Sequence, residues 1–305
     1  MSLPVIAVFG PTAVGKTAVA VAAARVLSQG GASAGARGGA ARQVYAGLPL
    51  LTAQPSAAEH AALPHRLVGF VPVEQRWSVA EHTVLAHAEI DGAIVEGHTP
   101  IVVGGTGLYL RGALARLSLA PPPAPGVREA LRVRAAMPGG LALLHAELVT
   151  RDPAAAARVA PTDTTRVLRA HELLAAGRSF ADVADGSELW AADTRVPTVL
   201  VGLTMRRDQL RARAAERMAA MVDAGVIDEV RAADARGASA TARAAVGFGE
   251  LLAGDVDAAI TKTRQLAKRQ ETWMRRLGGV TMIDVTGRTA DQIADEILTL
   301  RAAHH

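Results

Sequence analysis

Cysteine is absent from the 305-residue sequence, which excludes disulfides, thiolate zinc sites and a cysteine nucleophile. Lysine is nearly absent too. Of 33 basic side chains only Lys16, Lys262 and Lys268 are lysines, so arginine carries most of the positive charge and Lys16 stands out by its rarity. The net charge of +4 is too small to name a partner, and what matters is where the charges cluster. No apolar run approaches the length of a membrane span, and the opening Met1-Ser2-Leu3-Pro4 lacks the charged region of a secretory signal. A soluble cytoplasmic protein with no membrane partner is therefore expected. The nine histidines, His304 and His305 among them, show no metal-ligand spacing, which argues against a histidine-bound metal. There is no internal repeat. Half of the residues are hydrophobic, enough for one large core or for a core with a smaller appended domain.

What is present begins at Gly10. The stretch Gly10-Pro11-Thr12-Ala13-Val14-Gly15-Lys16-Thr17 fits G-x-x-x-x-G-K-[ST], with an apolar β-forming run over residues 3–9 before it and an alanine-rich helical stretch over 18–27 after it. Strand, glycine turn and helix are the context this phosphate-binding loop requires. Backbone N–H groups of the turn and the positive end of the helix dipole converge on an anion, Lys16 adds a cation, and the Thr17 hydroxyl is a candidate contact to a phosphate-bound Mg²⁺. Such a loop holds a diphosphate or a triphosphate, and the motif does not say which molecule carries it.

Residues 28–42, SQGGASAGARGGAAR, contain no acid, no aromatic and no β-branched residue. They are expected to form a mobile loop at the place where a doubly wound domain would put its second strand. Order resumes at 43–48, an apolar run follows at 64–73, and Ser78 with Glu81 three residues on marks the capped start of a helix over 78–96. Residues 99–103 read as a buried strand running into Gly104-Gly105-Thr106-Gly107 and a helix from Leu108. Prolines at 121, 122, 123 and 125 stiffen a boundary, beyond which short helices extend to residue 190. An apolar strand at 196–203 and an amphipathic helix over 206–224, with Met218, Met221 and Val222 on its apolar side, resume the core. A long helix over 256–277 carries Leu266, Gln270, Trp273 and Leu277 on one face and Arg264, Lys268 and Arg275 on another, before a last strand at 280–285 and a closing helix at 289–303. The pattern predicts an α/β fold: a doubly wound parallel sheet of the P-loop NTPase kind over 1–117 and 195–305, interrupted by a helical insert over 118–194.

A nucleotide-hydrolysing protein with this loop usually has a second carboxylate after an apolar strand to hold the metal. Here the 99–103 strand runs into glycines with no acid following, and Asp284, after 280–283, lies near the C-terminus where it is a poor candidate. The alternative is that the loop grips a diphosphate as a leaving group, stabilised by cations and backbone donors.

Seven blocks then stand in one order along nearly the whole chain: GPTAVGKT (10–17), QVYAGL (43–48), PHRL (64–67), VGGTGLYL (103–110), DPAAAARVAPTDTTRVLRAHE (152–172), AERMAAMVDAGVIDEV (215–230) and TRQLAKRQETW (263–273). In these the sequence resembles the tRNA dimethylallyltransferases, also called tRNA isopentenyltransferases. The resemblance implies a P-loop core whose helical insert grips the tRNA anticodon stem-loop. It implies transfer of the dimethylallyl group of dimethylallyl diphosphate to N6 of the adenine beside the anticodon, with Mg²⁺ and in a monomer. Extraction of an unstacked loop base into a pocket would serve that chemistry. Carried over by position, Lys16 and Thr17 would stabilise the leaving diphosphate, Arg217 would be its second cation, and Gln43, Thr106, Thr165, Arg166 and Arg169 would contact tRNA. Without the resemblance, Arg213 and Arg217, one helical turn apart, read as a solvated helix face, and Trp273 reads as core rather than as a stacking platform.

The sequence also departs from the family. Its members have S-A-D-S-x-Q-V-Y before the 43–48 block, and the aspartate is the proposed base for the adenine amine. Alignment on Gln43-Val44-Tyr45 puts Ala40 at that aspartate and Ala41 at the neighbouring serine. An exocyclic adenine amine is a poor nucleophile, and loss of a positioned base lowers the rate by roughly 10²–10⁴. Three readings stand: another carboxylate, Glu59 or Asp163, serves as base; the chain is a weak or inactive tRNA-binding relative; or a shift of reading frame has rewritten residues 29–42. The loss of every β-former beside intact motifs favours the last two. Gln54 stands where a lysine is usual and Gly249 where a basic residue is usual, each weakening an electrostatic contact. A P-loop nucleotide kinase is the runner-up among enzymes.

Overall fold

The computed structural model describes residues 4–30, 34–38, 42–117, 119, 123–182 and 187–303. The strands are β1 (Val5–Phe9), β2 (Ala34–Gly38), β3 (Tyr45–Ala46), β4 (His65–Arg66), β5 (Val71–Pro72), β6 (Thr99–Gly104), β7 (Thr198–Thr204) and β8 (Thr281–Asp284). The helices of the first half are α1 (Lys16–Gln29), α2 (Ala57–Ala62), α3 (Val79–Val95) and α4 (Gly107–Leu114). Next come α5 (Val127–Ala136), α6 (Gly140–Arg151), α7 (Pro153–Arg158), α8 (Thr164–Ala175) and α9 (Ser187–Trp190). The last group is α10 (Arg207–Asp223), α11 (Val226–Ala235), α12 (Ala240–Arg243), α13 (Phe248–Leu252), α14 (Val256–Arg276) and α15 (Ala290–Ala302). The chain divides into two compact units, one made of Met1–Arg116 with Ala191–His305 and the other of Leu117–Trp190.

In the larger unit the described residues form a six-stranded sheet in the order β4-β2-β6-β1-β7-β8, every neighbour parallel. All five residues of β1 are buried, as both faces of a central parallel strand require, and they alternate between two cores. Ile6 and Val8 join Val19, Ala23 and Leu27 of α1 and Ile293 and Ile297 of α15. Val5, Ala7 and Phe9 face the other way, toward Ile90 of α3, Leu110 of α4 and Met274 of α14. Helices on both faces make the sheet doubly wound. A third apolar cluster gathers Tyr45, Leu48, Met218, Val226, Val230 and Phe248 around the short β3–β5 pair, placing Met218, with Met221 and Val222 packed beside it, where the apolar side of α10 was expected.

The expected loop at 28–42 is corrected in two places. Helix α1 continues to Gln29 and caps at Gly30, and residues 34–38 form β2, paired with β6 from Ala34↔Thr99 to Gly38↔Val103 and with β4 at Ala36↔His65. A strand paired on both sides draws its order from ladder hydrogen bonds and tertiary context, so Ala-Gly-Ala-Arg-Gly adopts it without a single β-former. Ala40 and Ala41 lie outside the described residues.

In the smaller unit, α5 to α8 bury Leu131, Leu144, Leu148, Val159 and Val167 against one another. The helix starts here are written in the sequence: Asp152 caps α7 by accepting the Ala155 N–H, with Pro153 at the first position, and Asp163 caps α8 by accepting the Arg166 N–H. Among the described residues no helix is long and apolar enough to cross a membrane.

Candidate active site

The chain leaves β1 at Gly10, where a Cβ would sit 3.0 Å from the Leu203 carbonyl oxygen of β7, so only glycine lets the turn start this close to the sheet. Ala13 (φ 67°) and Gly15 (φ 104°) take left-handed conformations that fold the loop back into α1. The first turn of α1 carries no acid, so its N–H groups and positive dipole end meet no internal counter-charge. Lys16 Nζ donates to the Gly10 and Pro11 carbonyls at 3.0 and 2.8 Å, holding the amine inside the loop. Burial there, and next the charge of Arg217, lower its pKa from 10.5 to about 7.

Thr12, Ala13, Gly15, Lys16 and Thr17 line one wall of a cavity of about 840 Å³. Gly10, Pro11 and Val14 do not line it: the first two supply the carbonyls that hold Lys16, and Val14 is buried in the core beneath the loop. Helix α10 supplies further positive charges. Arg217 lines the cavity, burial lowers its pKa, and its charge is felt by Lys16. Arg213 also lines the cavity, with Nη2 3.7 Å from where a Cβ of Gly15 would sit. Arg217 is therefore not an ordinary solvated residue, whereas Arg213 is exposed at the rim of the cavity. Lys16, Arg213, Arg217 and a helix start without an acid in its first turn converge on one cavity, an arrangement that binds a polyanion, although Glu59 and Glu216 also line it.

Gln43 and Thr106 line the same cavity. Gln43 is held on both sides: its Nε2 donates to the Ala53 carbonyl at 2.6 Å, and its own carbonyl accepts from Gly69 N–H and Gln54 Nε2 at 2.8 and 2.9 Å. Gln54, standing where the family has lysine, thus fastens the Gln43 turn and also donates to the Tyr45 carbonyl at 2.8 Å. Glu229 of α11 secures the same turn by accepting the Leu50 and Leu51 N–H groups at 2.8 Å each, and burial raises its pKa against those two bonds. Thr106 precedes α4 at the cap position without using its side chain as the cap. Trp273 packs against the core of β1 and α4 and fits against Gly107, as expected of a core residue.

Of the two alternative bases, Glu59 lines the cavity, with Oε2 accepting from Ser56 in the capping box that starts α2. Asp163 lies in the smaller unit, committed to capping α8 and paired with Arg166 at 3.6 Å. Thr165 and Arg166 are exposed at the start of α8, whereas Arg169 pairs with the buried Glu172, which also holds Arg128. Asp284 sits on the edge strand β8, bonded to Thr286 and away from the cavity lining. Among the described residues no cluster of three acids or histidines could hold a metal. A hydroxyl at Thr17 with no acid in the same helical turn suits a divalent metal held chiefly by phosphate oxygens and water, rather than an all-protein cage.

Sequence reasoning passed over Gln270. Its carboxamide is buried, it lines the cavity, and its Oε1 accepts the Thr12 N–H at 2.7 Å. The signal was a polar residue on the otherwise apolar face of α14.

The sequence model of the IPP transferase family matches residues 43–277. The chain belongs to that family. A tRNA dimethylallyltransferase of Anaeromyxobacter dehalogenans is 41% identical over 292 residues, spanning 91% of this chain and 92% of that protein. One of Rhodospirillum centenum is 43% identical over 289 residues, spanning 89% and 88%. The crystal structure of a tRNA isopentenylpyrophosphate transferase from Bacillus halodurans matches with a TM-score of 0.71 at 31% identity, covering 99% of this chain and 96% of that one. These relatives bear out the resemblance and the P-loop α/β fold read from the sequence. The match begins at Gln43, directly after the segment that holds Ala40.

Proposed function

We propose that the protein transfers the dimethylallyl group of dimethylallyl diphosphate to N6 of the adenine beside the anticodon of a tRNA, as a monomer in the cytoplasm. The observation that carries this reading is the single cavity in which Lys16 and Arg217 flank the phosphate loop while Gln43 and Thr106 line it nearby.

The bond from the allylic carbon to the diphosphate oxygen breaks, the carbon bonds to N6, and N6 gives up a proton, leaving diphosphate and prenylated adenine. Loop N–H groups, Lys16 and Arg217 stabilise the charge that grows on the departing oxygen. The Thr17 hydroxyl would help hold Mg²⁺, which when bound would supply further neutralisation of the leaving group's charge. Gln43 and Thr106 position the flipped adenine. With alanine at position 40, the proton goes to Glu59, the half-buried one of two carboxylates that line the cavity; the other, Glu216, is exposed on α10 beside Arg217. The smaller unit grips the stem-loop through Thr165 and Arg166, and Arg169 supports them from its pair with Glu172.

Ala40 also favours a second reading, stem-loop binding without transfer. Incubation with dimethylallyl diphosphate, Mg²⁺ and an anticodon stem-loop, followed by mass analysis of the digested nucleosides, separates the two. Prenylated adenosine from that one position supports transfer, and unmodified RNA that nevertheless co-purifies with the protein supports binding alone.

A further inference from the structure

We infer that Gln270 is a positioning residue that ties the diphosphate loop to the turn bearing Thr106, and so fixes the leaving group relative to the base that attacks. The inference rests on the proposed transfer, and its test includes an arm that does not. Gln270 Oε1 accepts the Thr12 N–H at 2.7 Å, and the residue is only 8% exposed. On its other side the carboxamide meets the turn after β6. A Cβ added to Gly105 would lie 2.5 Å from Gln270 Nε2 and 3.2 Å from the Gly10 carbonyl oxygen, so the amide sits in a notch that only glycine at 105 leaves open. One helical turn on, a Cβ at Gly107 would lie 2.0 Å from the Trp273 ring. The two glycines flanking Thr106 are thus sockets for α14, and Gly104-Gly105-Thr106-Gly107 acts as a docking turn rather than a second phosphate loop.

Glutamine fits this place chemically. An apolar side chain would leave the Thr12 N–H without a partner, and a glutamate would set a negative charge beside a loop built for anions. Because the loop and the turn share this one side chain, a shift in either moves the other, and displacements near 1 Å cost about 10²-fold in rate.

The test uses the full chain with Gln270→Ala, Gly105→Ala and the double variant. Affinity for inorganic diphosphate with Mg²⁺ is read by calorimetry, and prenyl transfer by steady-state kinetics. Gln270→Ala is expected to weaken diphosphate binding about 10-fold and lower kcat about 100-fold, with KM for the stem-loop within about threefold of the parent. Gly105→Ala pushes the carboxamide out and gives the same losses. Added to Gln270→Ala it costs less than it does alone, because the nearest atom it would strike is gone and only the 3.2 Å approach to the Gly10 carbonyl oxygen remains. Diphosphate affinity within twofold of the parent in Gln270→Ala, a lowered melting temperature alone, or fully additive losses in the double variant would each overturn the inference. If the parent protein transfers no prenyl group, the transfer reading fails, and the diphosphate arm still decides the role of Gln270.

Discussion

Lys16 is held by the carbonyls of its own loop, and burial followed by the Arg217 charge brings it to about 7. Between that value and the 10.5 of an exposed lysine the unfolded chain holds a proton that the folded chain does not, so this group makes stability rise with pH across that window and leaves it flat below. Diphosphate supplies the missing counter-charge and draws the proton back. Calorimetry of diphosphate binding in buffers of different ionisation enthalpy is therefore expected to show uptake of about one proton near pH 8.5 and almost none near pH 6, with Lys16→Met abolishing the difference. Equal uptake in parent and variant would contradict it. Glu59 allows an equally sharp substitution, because glutamine at the third helical position keeps the capping box while removing the base. Glu59→Gln should lower prenyl transfer by about 10²–10⁴ without loss of stem-loop binding, and Ala40→Asp in the same chain should restore it. Transfer that is indifferent to Glu59→Gln sinks the assignment.

At the scale of elements, the smaller unit separates two arginines that look alike in the sequence. Arg166 is exposed, and Arg169 is bound to Glu172, whose pKa burial works to raise and the two arginines lower by more. That ion pairing stabilises the unit above the ordinary glutamate range and is lost as pH falls through the lowered value. Arg166→Ala should weaken stem-loop binding and reduce its salt slope by about 1 with an unchanged melting temperature, whereas Arg169→Ala should lower the melting temperature as well. Filter binding across salt with parallel thermal melts checks both, and identical behaviour of the two variants would refute the distinction. Strand β2 makes a different prediction. Its N–H groups should exchange with deuterium far more slowly than those of a solvated loop, and loop-like exchange over 34–38 would contradict the pairing.

These elements also mark how far the sequence could be read. The capped start at Ser78, the buried β1 and β6 and the start of α1 were legible because each rests on a local pattern: a Ser-x-x-Glu box, an apolar run or a glycine loop. Strand β2 was not, since its five residues carry no β-forming side chain and its order comes from β4 and β6. Lys16, Thr17 and Arg217 were legible through motif and resemblance. Gln270 was not, because its partner Thr12 is 258 positions away.

At the scale of the whole molecule, a chain that aligns with its relatives across nine-tenths of its length has the phosphate loop, Lys16 and Arg217, yet carries alanine at position 40, where the resemblance leads one to expect an aspartate. On the proposed reading the base has changed within the site: the phosphate loop, Lys16 and Arg217 line the cavity, and Glu59, on the same cavity, takes the proton. The most direct test is a multiple-turnover time course with the protein as written, labelled dimethylallyl diphosphate, Mg²⁺ and an anticodon stem-loop carrying the target adenine. Linear product formation well beyond one equivalent of enzyme is the predicted result, and stem-loop that binds but never acquires label would contradict the account.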